Sequence, residues 1–307
     1  MLTIEKINKR AKSKFTQQRL IESMINLETK YQSKYVDTLH CSSLIYQKGD
    51  ELTSRYCKHR WCRICNRIRT GKLINGYQLA INHMKDKQFL TLTIPNVPAE
   101  KLRDSFKSMI LAMRQIQEKR RSKKMDGINC IRKLECTYNA LENNYHPHFH
   151  FIVDGINQAN YMIEQWLQIF PAANIRAQKV IPAHDPMELF KYFTKLTSKT
   201  GNDDPNEKNE DFAFPEALDI IFQAIEKLRI IQPMGKIKMV SDEIDELNSI
   251  AIDETIANDL DDKFYIWAGS YWYSPFTGIV LSSFAPDDNL IKFANRIKFI
   301  TKEKTIQ

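Results

Sequence analysis

Three of the chain's seven histidines fall in one short stretch, NYHPHFHFIVD, from Asn144 to Asp154. His146, His148 and His150 take alternate positions, so on a strand they share one face, while Phe149, Phe151 and Val153 share the other. The aromatic face has a core to fill; the histidine face is left for chemistry. Two imidazoles two residues apart can reach one cation, and an added carboxylate shifts such a site towards harder ions. Glu135, in the preceding stretch RKLECTYN, is placed to supply it: a hairpin turning near position 142 sets Glu135 opposite residues 148–150. The expected ligands of a divalent cation are therefore His148, His150 and Glu135; the imidazoles suit Zn²⁺, Mn²⁺, Ni²⁺ or Co²⁺, and the added carboxylate shifts the expectation towards Mg²⁺ or Mn²⁺. His146 precedes Pro147 at the strand entrance and shapes that end. The bland alternative is a row of surface histidines; the His-x-His pair with a cross-strand Glu argues against it.

A second cluster lies further on, in MELFKYFTK. Glu188 and Tyr192 are four residues apart and share a helix face, with Lys191 and Lys195 beside the tyrosine. A phenol flanked by ammonium groups near a divalent cation is a candidate nucleophile for a phosphodiester, through a covalent intermediate. Glu188 could take the phenolic proton or activate a water. Alone the Glu-x-x-x-Tyr spacing is weak, since twelve tyrosines produce such pairs by chance. It gains force beside His-x-His.

Four of the six cysteines form a third cluster. Cys57, Cys62 and Cys65 lie in CKHRWCRIC, and Cys41 lies upstream in LHCSSL. Four thiolates so close in sequence fit a closed tetrahedral zinc site of structural type; His40 and His59 are alternative donors. The neighbouring Arg60, Trp61, Arg63, Arg67 and Arg69 mix guanidinium groups with an aromatic ring, which suits backbone phosphates and stacked bases. Arg60, Arg63, Arg67, Lys191 and Lys195 are the expected DNA contacts.

These clusters need a scaffold. KQFLTLTIPN alternates Leu90, Leu92 and Ile94 with Thr91 and Thr93, a strand stopped at Pro95. Residues 99–122 repeat apolar positions at helical spacing. Strands are predicted over 129–138, 146–154 and 174–181. Helices are predicted over 4–30, 158–170 and 185–198, the last with Asp185 as N-cap and Pro186 at its first position. The order β-α-β-β-α-β-α suits an α+β fold, a central antiparallel sheet with helices on one face. Past residue 200, GNDDPNEKNED (201–211) reads as a polar, acidic linker or loop, residues 241–262 are acidic too, and the tail has strand-like pieces near 264–267 and 278–282. The expected organisation is a basic N-terminal helical arm (1–35), a zinc-binding element (36–75), a catalytic domain (85–200) and an acidic C-terminal region (201–307) for accessory contacts.

Charge is unevenly spread. Residues 1–200 carry 34 Lys and Arg against 17 Asp and Glu, and residues 201–307 carry 11 against 20. A basic front of that size points to a polyanion, most simply nucleic acid. The N-terminus is basic but lacks the apolar core of a secretory signal, and no apolar run nears the ~18 residues of a membrane span. A cytoplasmic protein with no membrane contact is expected, and clustered cysteines there bind metal more often than they form disulfides.

FLTLTIPN, then ECTYN followed by HPHFHFIVD, then ELFKYFTK, in this order, resembles the rolling-circle replication initiators of small bacterial plasmids, members of the HUH endonuclease superfamily. The resemblance covers about residues 40–200 and includes a similar cysteine element ahead of the first strand. It implies a central antiparallel sheet with His148 and His150 on its middle strand and Tyr192 on a nearby helix. It further implies nicking of one strand at the origin, a 5′-phosphotyrosine link and a free 3′ hydroxyl that primes host polymerase. Tyr192 is then the nucleophile and Glu188 the carboxylate that ends the reaction by hydrolysis. Relatives often have a small residue after the Lys-Tyr pair, where this chain has Phe193. The implied partners are origin DNA, single-stranded or as a hairpin, and host helicase and polymerase. Competing readings are a transposase or mobilisation relaxase with the same chemistry, and a non-catalytic zinc-dependent nucleic-acid binder, which predicts no effect of Tyr192→Phe beyond binding.

Overall fold

The computed structural model describes residues 4–48, 51–124, 126–190, 198–199, 211–239 and 264–300. The chain forms two compact units. One comprises residues 1–69 and 243–301; the other comprises residues 70–242 with 302–307.

The first unit begins with α1 (Ile4–Ile25), α2 (Gln32–Leu39), β1 (Leu44–Lys48) and β2 (Glu51–Ser54). Helix α3 (Arg63–Asn82) starts in this unit and ends in the second. There it leads to β3 (Lys87–Thr93), α4 (Ala99–Ser122), β4 (Cys130–Asn139), β5 (Asn144–Asp154), α5 (Ile156–Ile169) and β6 (Lys179–Pro182). Two short paired strands follow, β7 (Ser198–Lys199) and β8 (Asp211–Phe212), then α6 (Pro215–Ala224) and β9 (Ile231–Met234). The chain returns to the first unit with β10 (Phe264–Trp267), β11 (Trp272–Tyr273) and α7 (Asp288–Ala294).

The second unit is an α+β layer structure. Its sheet has the order β6-β3-β5-β4-β9, with every pairing antiparallel, so the histidine strand β5 lies in the middle. Alternation explains the layers. Leu90, Leu92, Leu134, Phe149 and Phe151 point to one face and are fully buried. Against that face α4 buries Phe106, Met109 and Met113, and α5 buries Met162 and Trp166. Trp166 meets Phe149 edge to face, and its indole N–H donates to the Thr93 carbonyl at 2.9 Å. On the opposite face Ile131 and Ile152 gather Leu73, Tyr77, Ile81 and Met84 of α3 with Leu189 and Phe190. Buried apolar area of this kind contributes roughly 25 cal/mol per Å².

The β4–β5 hairpin sets the register of the site. Asn139 Oδ1 accepts from the backbone N–H groups of Leu141 and Glu142, and Asn143 adopts a left-handed conformation (φ 49°) that asparagine tolerates well. Glu135 thereby lies directly opposite His148, as the sequence predicted within a residue.

The first unit closes a separate sheet of order β11-β10-β1-β2 over Ile7, Ala11, Ile45 and Trp272. Leu44 pairs with Ile266, so strands from opposite ends of the chain lie side by side.

Several expected elements differ. The predicted strand over 174–181 opens as a 3₁₀ turn capped by Asn174, and only β6 pairs. The predicted helix over 185–198 is a 3₁₀ turn, Pro186–Phe190; Asp185 does cap it, accepting from Met187 and Glu188, and residues 191–197 lie outside the described residues. Helix α6 and β9, the latter an added edge strand on β4, are not among the expected elements, and residues 201–210 of the expected linker lie outside the described residues. The acidic stretch 241–262 lies outside the described residues, and the 278–282 piece is reduced to one bridge, Tyr273 to Val280. No helix among the described residues is long and apolar enough to cross a membrane.

Candidate functional site

His148, His150 and Glu135 converge on one face of the central sheet. Nε2 of each histidine lies 3.5 Å from Glu135 Oε2, and the three donor atoms lie within 4.8 Å of one another. The rings are oriented from behind. His148 Nδ1 donates to the His146 carbonyl at 3.0 Å, which aims Nε2 at Glu135. His150 Nδ1 meets Thr91 Oγ1 at 3.0 Å. Thr91 lies opposite His150 on β3, which explains why a threonine alternates with the core leucines there. Burial pushes the Glu135 carboxyl up, but its bonds to His148 and His150 and the Lys133 charge outweigh this and hold it well below the usual carboxylate range. Glu135 is thus an anion facing two imidazoles, a donor set of two nitrogens and one oxygen that could hold a metal ion.

His146 is not part of this group. Its Nε2 bonds the Thr93 hydroxyl, and burial, then the neighbouring His148 and His150, pull its pKa down to about 4.

The four cysteines also converge, with all sulfurs within 4.8 Å of one another. Cys41 follows α2, Cys57 follows β2, and Cys62 and Cys65 lie at the start of α3. Lys58 adopts a left-handed turn (φ 61°) beside Cys57. The Cys41–Cys65 and Cys57–Cys65 sulfurs are 3.6 and 3.7 Å apart, well beyond a disulfide bond of about 2.05 Å. Neighbouring thiols push Cys41 up; burial raises Cys62, but bonds from the other three thiols outweigh it and hold it well below its usual value. Four thiols this close cannot all ionise without a cation to balance them, so the donor set fits a closed, four-sulfur metal site. Helix α1 braces it: Gln17 Nε2 approaches Cys62 Sγ at 3.9 Å, and Gln17 Oε1 accepts from the Arg63 N–H at 2.8 Å. The buried Lys14 ammonium donates to the Leu39 and Cys41 carbonyls and to Ser43 Oγ; burial pulls its pKa down to about 8, opposed by the sulfurs. Neither His40 nor His59 joins the cluster.

The other expected residues are placed less uniformly. Glu188 is exposed on the 3₁₀ turn. Tyr192, Lys191 and Lys195 lie outside the described residues. Arg60 and Arg63 are half-buried around the cysteine cluster, and Arg67 donates to the Lys9 carbonyl and Ser13 Oγ. Trp61 is not the expected base-stacking ring. It is buried, stacked on Tyr31 and His59, with its N–H bonded to Thr38 Oγ1 at 2.9 Å. Arg69 is turned inward too, to Asn66 Oδ1 and the Lys58 carbonyl. Sequence reasoning missed Thr91, Lys133, Lys14 and Gln17. Lys133 and Thr91 had a signal, since each shares strand parity with the ligands.

The fold and the site define an α+β protein with an antiparallel sheet bearing a His-x-His and Glu group on its central strands, next in sequence to a four-cysteine element. A family profile described as "Replication protein" matches residues 51–271, and the chain belongs to that family. It is similar to "Protein rep" of Staphylococcus aureus, at 32% identity over 128 residues, covering 37% of this chain and 54% of the relative. It is also similar to "Protein rep" of a Bacillus species, at 28% identity, covering 40% of this chain and 44% of the relative. The chain thus spans about half the length of the curated relatives it matches. No solved structure matches it.

Proposed function

We propose that the chain is a plasmid rolling-circle replication initiator that nicks one strand of its origin by tyrosine transesterification. The convergence of His148, His150 and Glu135 in a replication-family chain carries this reading. These three residues would hold Mg²⁺ or Mn²⁺, which when bound polarises a phosphate oxygen and stabilises charge in the transition state. Tyr192 supplies the nucleophile. Its phenolic oxygen bonds to phosphorus, the bond from phosphorus to the 3′ oxygen breaks, and the products are a 5′-phosphotyrosine and a 3′ hydroxyl. The phenolic proton passes to a base, for which Glu188 is the candidate, and a proton is returned to the leaving 3′ oxygen. Glu188 later activates the water that releases the protein. In support, Leu189 and Phe190 pack with Ile131 and Ile152, which share strand parity with Glu135 and His150, so the segment leading into Tyr192 begins on the ligand face.

In the same reading the cysteine cluster holds a structural Zn²⁺, and Arg60, Arg63, Arg67, Lys191 and Lys195 contact origin phosphates. Host helicase and polymerase extend the 3′ end. The test is incubation with Mn²⁺ and supercoiled DNA of its own replicon, followed by a denaturing gel for a covalent adduct. A metal-dependent adduct that disappears in Tyr192→Phe is expected. Nicking that survives Tyr192→Phe would remove the tyrosine from its role.

A further inference from the structure

A second buried charge adjoins the ligand carboxylate. Lys133 lies two residues before Glu135 on β4 and opposite His150 on β5, so it shares their face. Its side chain is 4% exposed, and an ammonium withdrawn this far from water needs a charged partner. Nζ lies 2.5 Å from Glu135 Oε1, whereas Oε2 faces both imidazoles. The two oxygens of one carboxylate are thus divided between an ammonium and the candidate ligand group.

We propose that Lys133 is a positioning residue that restricts Glu135 to one ligand oxygen and cancels its charge, so that cation binding at the site is completed by a phosphodiester. The inference rests on reading the triad as a metal site. The donors are two neutral imidazoles and a carboxylate offset by an ammonium, so the protein's net contribution is zero charge. The full double charge of a bound ion is then left to attract a polyanion. A carboxylate that uses one oxygen also leaves more of the coordination sphere open to phosphate oxygens. The site binds its ion weakly alone and more tightly with DNA, and by reciprocity the ion strengthens DNA binding by the same factor. Full pairing of Glu135 with the ion alone would instead favour tight binding of the ion without substrate.

The experiment is Mn²⁺ titration of the full chain by electron paramagnetic resonance, with and without single-stranded DNA from its own origin. Lys133→Gln keeps a donor near Oε1 but removes the charge; Lys133→Arg keeps the charge. Lys133→Gln should bind Mn²⁺ at least about tenfold more tightly without DNA, because a like charge has been removed, and should lose most of the gain that DNA confers. Lys133→Arg should resemble wild type. Equal or weaker Mn²⁺ binding by a folded Lys133→Gln, checked by circular dichroism, overturns the proposal. So does a wild-type protein whose Mn²⁺ affinity DNA leaves unchanged, a result that needs no variant to fold. If wild type and His148→Ala bind Mn²⁺ equally, the metal-site reading itself fails.

Discussion

At the scale of single residues, the candidate metal site depends on groups that are not among its donors. Thr91 Oγ1 fixes the His150 ring from behind, as the His146 carbonyl fixes His148. Such outer contacts typically set metal affinity by about tenfold to a hundredfold. Thr91→Val keeps the β-branched shape and the strand but removes the oxygen. It should weaken Mn²⁺ binding by about tenfold or more with little change in melting temperature. Unchanged affinity would mean that the His150 ring is held by its other neighbours, Phe89 among them at 5.2 Å between ring centroids. This layer was only half legible. Alternation along KQFLTLT assigns Thr91 to the polar face, but the oxygen's partner depends on register across β3 and β5, and pairing is set by the sheet as a whole.

At the scale of elements, local periodicity was informative wherever the structure is local. Strand β3, helix α4, the β4–β5 hairpin and helix α5 fall close to their predicted ranges, because alternation and helical spacing are written in consecutive residues. The failures lie where structure is not local. Strand β9 is four residues long and exists through its pairing with β4. Helix α6, with Pro215 at its start, was hidden by the acidic stretch before it. The cysteine element was legible as a cluster, yet its bracing by α1 was not, since Gln17 is 45 residues from Cys62. A test follows from burial. Cys130 and Cys136 are sealed in β4, and burial pushes both thiols up, Cys130 to about 12. A mercurial, which competes for metal-bound sulfur and can enter at the partly exposed Cys57, should react with the four cluster thiols of the native protein and not with these two, and release one zinc per chain as it does so. The last two should react only in denaturant. Six native thiols, or four without zinc release, would contradict a four-sulfur zinc site.

At the scale of the whole molecule, the boundary between basic front and acidic back does not coincide with the boundary between units. The cysteine unit takes residues from both ends of the chain, so β10, β11 and α7 fold with α1 and β1. Trp272 is fully buried against Ile7, Ala11 and Ile45, and its indole N–H donates to the Ser42 carbonyl at 2.9 Å, one residue from Cys41. Deleting such a ring typically costs about 3–5 kcal/mol. A chain ending at residue 239 retains all five strands of the histidine sheet but removes β10, β11 and α7 from the cysteine unit. It leaves β1 without a partner on one edge and opens the Ile45 core to water. Such a chain should still bind Mn²⁺ through His148, His150 and Glu135, while the metal held by its cysteine cluster is lost on dialysis. Trp272→Ala should move the full-length protein in the same direction, lowering the melting temperature of the cysteine unit first. A truncated chain that keeps its metal through dialysis would show that β1, β2 and the α3 entry hold the cluster without the C-terminal strands.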